Sequence, residues 1–167
     1  MHNKKLKQYF FINKFDYSHF INLDKNISFI WRNKDKEIEL KNLIKLKNFC
    51  KKNNRKFFIS NDLSLAIKLD ADGLYISSYN KKLYLRIFNS RRNFKVLGSA
   101  HNFKEIKTKE LQRVNEIFLS PLFKKKNILP LNVCKYLNLK RLTLKEDISL
   151  GGINEKNIKK LRLINPF

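Results

Sequence analysis

Short apolar runs rich in isoleucine, phenylalanine and tyrosine recur along this chain every twenty to thirty residues, and charged or amphipathic segments fill the intervals. That alternation restricts the fold more than any other feature. Residues 9–12, 27–31, 57–59, 73–76, 94–97, 116–119 and 148–150 read as seven strands, each a brief aromatic or β-branched run. Residues 35–51 read as the clearest helix, because Ile38, Leu43, Ile44, Leu46, Phe49 and Cys50 recur near a 3.6-residue period with charges between them. Residues 63–69 behind Asp62, 103–113, 131–142 and 155–163 read as further helices, 82–89 as a weaker one, and 15–23 as a short helix or turn. Strands alternating with helices predict βα units on a parallel sheet. Near-continuous apolar strands predict that both faces of that sheet are covered.

No strand is followed by the glycine-rich loop of a dinucleotide-binding sheet, which argues against a doubly wound fold. An α/β fold of the TIM-type (β/α) barrel fits better. It is expected as a single domain over residues 1–167, incomplete, with about seven parallel strands and the eighth βα unit missing, since the sequence stops at Pro166-Phe167 after the seventh helix. In such barrels the chemistry sits on loops after the C-terminal strand ends, and phosphate often sits after strands seven and eight. The stretch Ile148-Ser149-Leu150-Gly151-Gly152-Ile153-Asn154 falls at that place. Two glycines let a ligand approach bare backbone. Asn154 is a suitable N-cap for the helix that follows, which would turn Ile158, Leu161 and the stem of Arg162 inward. Amides at a helix start suit phosphate, although a glycine pair is also a common plain turn.

Lysine and arginine number 37 against 14 acidic residues, a net charge of +23. Such an excess usually signals nucleic acid or an anionic membrane. Here the lysines are spread over every segment rather than gathered into an arm, so most read as solvated helix faces. The aromatic residues fall mainly in the strands as core, which weakens a stacking platform for single-stranded nucleic acid. Nucleic-acid binding is thus the disfavoured reading, and a small phosphorylated ligand would be as welcome in this field. No apolar run reaches the roughly 18 residues of a membrane span, and residues 9–12 are too short for a secretory signal. The cysteines, Cys50 and Cys134, lack metal spacing and are expected on apolar helix faces in a reducing cytoplasm.

The strand ends carry a set of motifs. Ile59-Ser60-Asn61-Asp62-Leu63-Ser64-Leu65-Ala66 followed by Ala71-Asp72-Gly73-Leu74-Tyr75-Ile76 is similar to I-N-D-R-x-D-L-A … G-A-D-G-V-H-L-G-Q. Trp31-Arg32-Asn33-Lys34 is similar to L-R-x-K, Ser99-Ala100-His101 to S-x-H, Ser120-Pro121-Leu122-Phe123 to G-P-I-F, and Leu150-Gly151-Gly152-Ile153 to I-G-G-I. Together, in order and over nearly the whole chain, they resemble the thiamine phosphate synthase family, which includes the thiazole tautomerases (TenI). Three of the four glycines of the chain fall within these motifs, and the fourth, Gly98, directly precedes one.

The resemblance implies a transferase of thiamine biosynthesis, coupling a hydroxymethylpyrimidine pyrophosphate to a thiazole phosphate with release of pyrophosphate. Pyrophosphate leaves first and a pyrimidine cation forms, so positive side chains and Mg²⁺ stabilise the leaving group. Carried over residue by residue, Arg32, Lys34 and Ser99 would hold the pyrophosphate. Gly151 and Gly152 would offer backbone amides to the thiazole phosphate, with Lys124 and Lys126 as further phosphate-binding charges. The metal positions fall on Asn61 and Asn80. Taken alone, Arg32 and Lys34 read equally as surface charge, Ser99 as a turn or capping residue, and His101 as a satisfied polar group.

The departures are as informative. Ile30 stands where the family has glutamine, Tyr75 where the tautomerases need histidine, and Lys124-Lys125-Lys126 where a threonine-rich loop is expected. Two amides replace the two metal-binding carboxylates, and hard Mg²⁺ prefers carboxylates. Two alternatives therefore stand beside a divergent synthase: a phospho-ligand-binding member without turnover, and a basic nucleic-acid-binding protein on the same scaffold. A homo-oligomer is left open.

Overall fold

The computed structural model describes residues 7–32, 40–84, 93–123, 129–154 and 156–163. Seven strands form one sheet in the sequential order β1 to β7: β1 (Gln8–Ile12), β2 (Ile27–Trp31), β3 (Phe57–Ser60), β4 (Gly73–Ile76), β5 (Lys95–Ala100), β6 (Glu116–Leu119) and β7 (Glu146–Ser149). The resolved pairings are all parallel. Helices α1 (Tyr17–Ile21), α2 (Leu40–Lys52), α3 (Leu63–Lys68), α4 (Phe103–Leu111) and α5 (Asn132–Lys140) lie between strands, and a 3₁₀ helix (Ile158–Leu163) follows β7. This is the alternating, sequentially ordered sheet of a TIM-type (β/α) barrel, with seven strands among the described residues.

The chain divides into two compact units. The first holds Leu6–Tyr75 and Tyr84–Lys95; the second holds Ile76–Leu83 and the chain from Val96 on. In the first, Phe20, Phe29, Phe49, Phe57, Leu43 and Leu46 are buried between α1, α2 and the sheet. Phe20 and Phe29 stack with ring centroids 4.9 Å apart, and Phe49 meets both. Side chains alternate along a strand, so the opposite face carries Phe11 and Tyr75, whose rings meet edge-on at 5.1 Å. Buried Arg55 stacks over Phe29 and donates to the carbonyls of Leu23 and Asp24, which closes the turn after α1. In the second unit, Val96, Leu97, Ile106, Val114, Ile117, Phe118, Leu119 and Tyr136 form the core.

Several expectations change. The fifth strand runs on through Gly98, Ser99 and Ala100, so Ser99 is a strand residue rather than a turn residue. The stretch read as helix 82–89 shows no regular structure at residues 82–84, and the rest of it lies outside the described residues. The final segment is a 3₁₀ helix starting at Ile158, not an α-helix from 155. Asn154 does not cap it. Its side chain accepts from Lys156 N at 3.0 Å while Asn157 reaches back to Asn154 N and Gly152 O, so two asparagine turns occupy the place of a first helical turn. Cys50 is buried on α2 as read, but Cys134 is exposed on α5.

Candidate functional site

The described residues singled out lie at or just beyond the C-terminal ends of their own strands, because in a βα unit the strand delivers its last residues to the loop that follows. In the first unit, Arg32 follows β2 with an exposed side chain, and its N–H donates to Ile12 O at 2.8 Å, extending the ladder by one residue. Asn61 follows β3 in the left-handed region at φ +60°, a conformation asparagine tolerates better than most residues. Its N–H donates to Tyr75 O and its carbonyl accepts from the Tyr84 hydroxyl at 3.0 Å. Asp62 caps α3 by accepting from Leu65 N at 2.9 Å. Asp72 sits at the other edge, where it accepts from Phe57 N at the start of β3. It is too far along the strand to serve these residues.

In the second unit, Gly98 lies against Lys109 of α4. Ser99, next in β5, therefore projects from the opposite face and is buried. His101 follows and places Nδ1 2.6 Å from Ser120 O; a carbonyl can only accept, so Nδ1 carries the proton. The adjoining Asn102 caps α4 through Glu105 N, and Glu105 returns bonds to His101 N and the Asn102 amide, a variant of the capping box.

Gly151 and Gly152 follow β7 with φ of +93° and +70°. A Cβ on Gly151 would stand 2.9 Å from Pro121 Cα, so both the conformation and the close approach call for glycine. The turn is fixed by Leu122 N donating to Leu150 O and Phe123 N to Gly151 O. Among the described residues neither glycine N–H has a protein acceptor. The 3₁₀ helix begins six residues later and is too short to add a dipole, so any anion affinity here belongs to the glycine amides. Lys34, Lys124 and Lys126 lie outside the described residues.

A Mg²⁺ ion fits this donor set poorly. The Asn80 side-chain oxygen already accepts from Lys82 N at 2.9 Å. The Asn80 carbonyl accepts from the ammonium of buried Lys109 at 2.7 Å, so a positive charge already lies against this residue. Among the described residues no cluster of three His, Cys, Asp or Glu side chains could hold a metal. Lys109 and its neighbour Gln112 were not singled out in the sequence. The available signal was a lysine three residues beyond Ile106, on the face of α4 that the apolar period turns inward.

The family model described as thiamine monophosphate synthase matches residues 25–165. The chain is 30% identical over 120 residues to the thiamine-phosphate synthase of Prochlorococcus marinus, a stretch covering 70% of this chain and 35% of that protein, so the match spans about a third of the relative's length. Among solved structures, the fold is similar to the thiamine phosphate pyrophosphorylase from Pyrococcus furiosus, with a TM-score of 0.69 over 95% of this chain and 82% of that one at 11% identity. Among the described residues no helix is long and apolar enough to cross a membrane.

Proposed function

Because the chain belongs to the thiamine monophosphate synthase family, we propose that it binds a thiazole phosphate at the Gly151-Gly152 turn and joins it to a pyrimidine pyrophosphate, as a divergent thiamine phosphate synthase. The observation that carries this reading is the turn itself. Two glycines in left-handed conformations follow β7, the first packed on Pro121, with N–H groups that have no protein acceptor among the described residues. Backbone N–H groups bond anionic oxygens more strongly than neutral ones.

In the reaction that the family implies, the C–O bond to pyrophosphate breaks first and the leaving group takes the electron pair. The thiazole then captures the pyrimidine cation. Protein groups contribute by offsetting the charge that develops on the leaving group. Arg32 and Ser99 are the described residues assigned to that task, with Lys34, Lys124 and Lys126 as counter-charges. The overall excess of +23 favours encounter with both anionic substrates. No step is assigned to Mg²⁺, whose two carboxylate positions are Asn61 and Asn80.

The test is twofold: calorimetry with thiazole phosphate, and formation of thiamine phosphate from both substrates with and without Mg²⁺. Weak binding and slow condensation that Mg²⁺ barely changes are expected. Failure to bind thiazole phosphate would sink the proposal, and brisk Mg²⁺-dependent turnover would refute the metal argument. Binding without turnover is the second reading. It is favoured by the engagement of Asn80 with Lys82 and Lys109, which leaves its oxygens little capacity for a metal.

A further inference from the structure

Lys109 is fully buried, at 0% exposure, without a carboxylate among its bonded partners. Its stem occupies a channel that exists because residue 98 has no side chain: a Cβ there would meet Lys109 Cδ and Val114 Cγ1, each at 2.9 Å. At the end of that channel Nζ donates to Ser77 O at 2.8 Å, Asn80 O at 2.7 Å and Gln112 Oε1 at 2.8 Å. An ammonium has three N–H donors, and all three are used. Gln112, three residues on, donates from Nε2 to Asn80 O at 2.9 Å and Lys82 O at 2.8 Å. Two side chains from the end of α4 therefore grip a single loop, residues 77–82, at the C-terminal end of β4.

The loop has bonds of its own, Asn80 N to Ser77 O and Lys82 N to the Asn80 side chain. These make a turn, and α4 adds four bonds to its carbonyls from beneath. Burying a cation among neutral oxygens is costly in desolvation, and an apolar side chain of similar length would fill the channel without that cost. What methionine or leucine could not do is present two donors to the underside of the loop and a third to Gln112. Ser77, the first residue of that loop, is itself buried, whereas Tyr79 at its tip is largely exposed.

We propose that Lys109 is a positioning residue: with Gln112 it clamps the loop after β4 from beneath, and that clamp sets the ligand affinity of the strand ends. The ligand half of this inference rests on the phosphate-binding reading above; the clamp itself does not.

The experiment uses the full chain, wild type and the variants K109M, K109R and Q112L. Amide hydrogen exchange is followed across residues 77–82, and pyrophosphate is titrated calorimetrically as the probe. In K109M, which keeps the packing stem and loses the donors, the loop amides are expected to exchange about tenfold faster, with protection elsewhere unchanged. Pyrophosphate affinity should fall by about the same factor, on the scale of one hydrogen-bonded charge. K109R, which restores donors, should recover part of both, and that recovery separates positioning from simple packing. If K109M fails to fold, Q112L gives the same reading, since it removes the bonds to Asn80 and Lys82 and leaves the lysine. Unchanged loop protection overturns the clamp, and a looser loop with unchanged pyrophosphate affinity overturns its positioning role. A wild-type chain that does not bind pyrophosphate counts against the phosphate-binding reading, while loop exchange in the variants still decides the clamp.

Discussion

At the scale of single residues, Gly151 and Lys109 do the most and make opposite demands. Gly151→Ala forces a side chain into a left-handed backbone and against Pro121. We expect a loss of about 1–3 kcal/mol in denaturant unfolding, accompanied by loss of thiazole phosphate binding. Lys109 carries a pH signature. Burial pushes its ammonium down from the ordinary 10.5 to about 8. Below about 8 both native and unfolded chains hold the proton, and the native state bears the desolvation cost. As pH rises through about 8 toward 10.5, the unfolded chain holds more protons than the native one, so stability rises. At 1.36 kcal/mol per pKa unit the rise totals roughly 3 kcal/mol. Unfolding of wild type minus K109M across this window should show it, because the variant lacks the group. Glycines were legible in the sequence because they are so few and stand in motifs. Lys109 was not, because one lysine among many on a helix reads as solvated charge, and only the missing side chain at Gly98 reveals where it goes.

At the scale of elements, the strands were legible and the ends of helices less so. Runs such as 27–31 and 116–119 match β2 and β6 residue for residue, since a parallel strand covered on both faces is largely apolar. β5 was read short because Gly98 and Ser99 lower strand propensity, and pairing with β6 overrides that local preference. The closing helix was misread for a related reason: its apolar spacing is helical, but Asn154 and Asn157 divert the first backbone donors into side-chain turns. α4 shows the reverse case, where local chemistry and fold agree. Asn102→Ala removes its cap and should cost about 1 kcal/mol of stability. Because Glu105 also holds His101 N, the same variant should loosen His101 from Ser120, visible as a shift in the His101 ring resonances.

At the scale of the whole molecule, the family and the topology were legible from the order of motifs. The metal question was not, because it turns on which oxygens of Asn80 are already engaged. The two cysteines offer a global probe. Burial pushes the Cys50 thiol up to about 12, while Cys134 is exposed. Iodoacetamide near neutral pH should label Cys134 at once and Cys50 only as the chain unfolds, so mass spectrometry across a urea series would report global unfolding. Rapid labelling of Cys50 in native buffer would contradict its burial. The sequential strand order has a consequence for how the chain comes into being. Paired residues are close in sequence, from Phe58 and Gly73, fifteen apart, to Glu116 and Glu146, thirty apart. Loops of that length are less costly to close than long ones. A chain leaving the ribosome N-terminus first presents each strand to a neighbour that has already emerged, so the sheet can be laid down in the order in which it is synthesised.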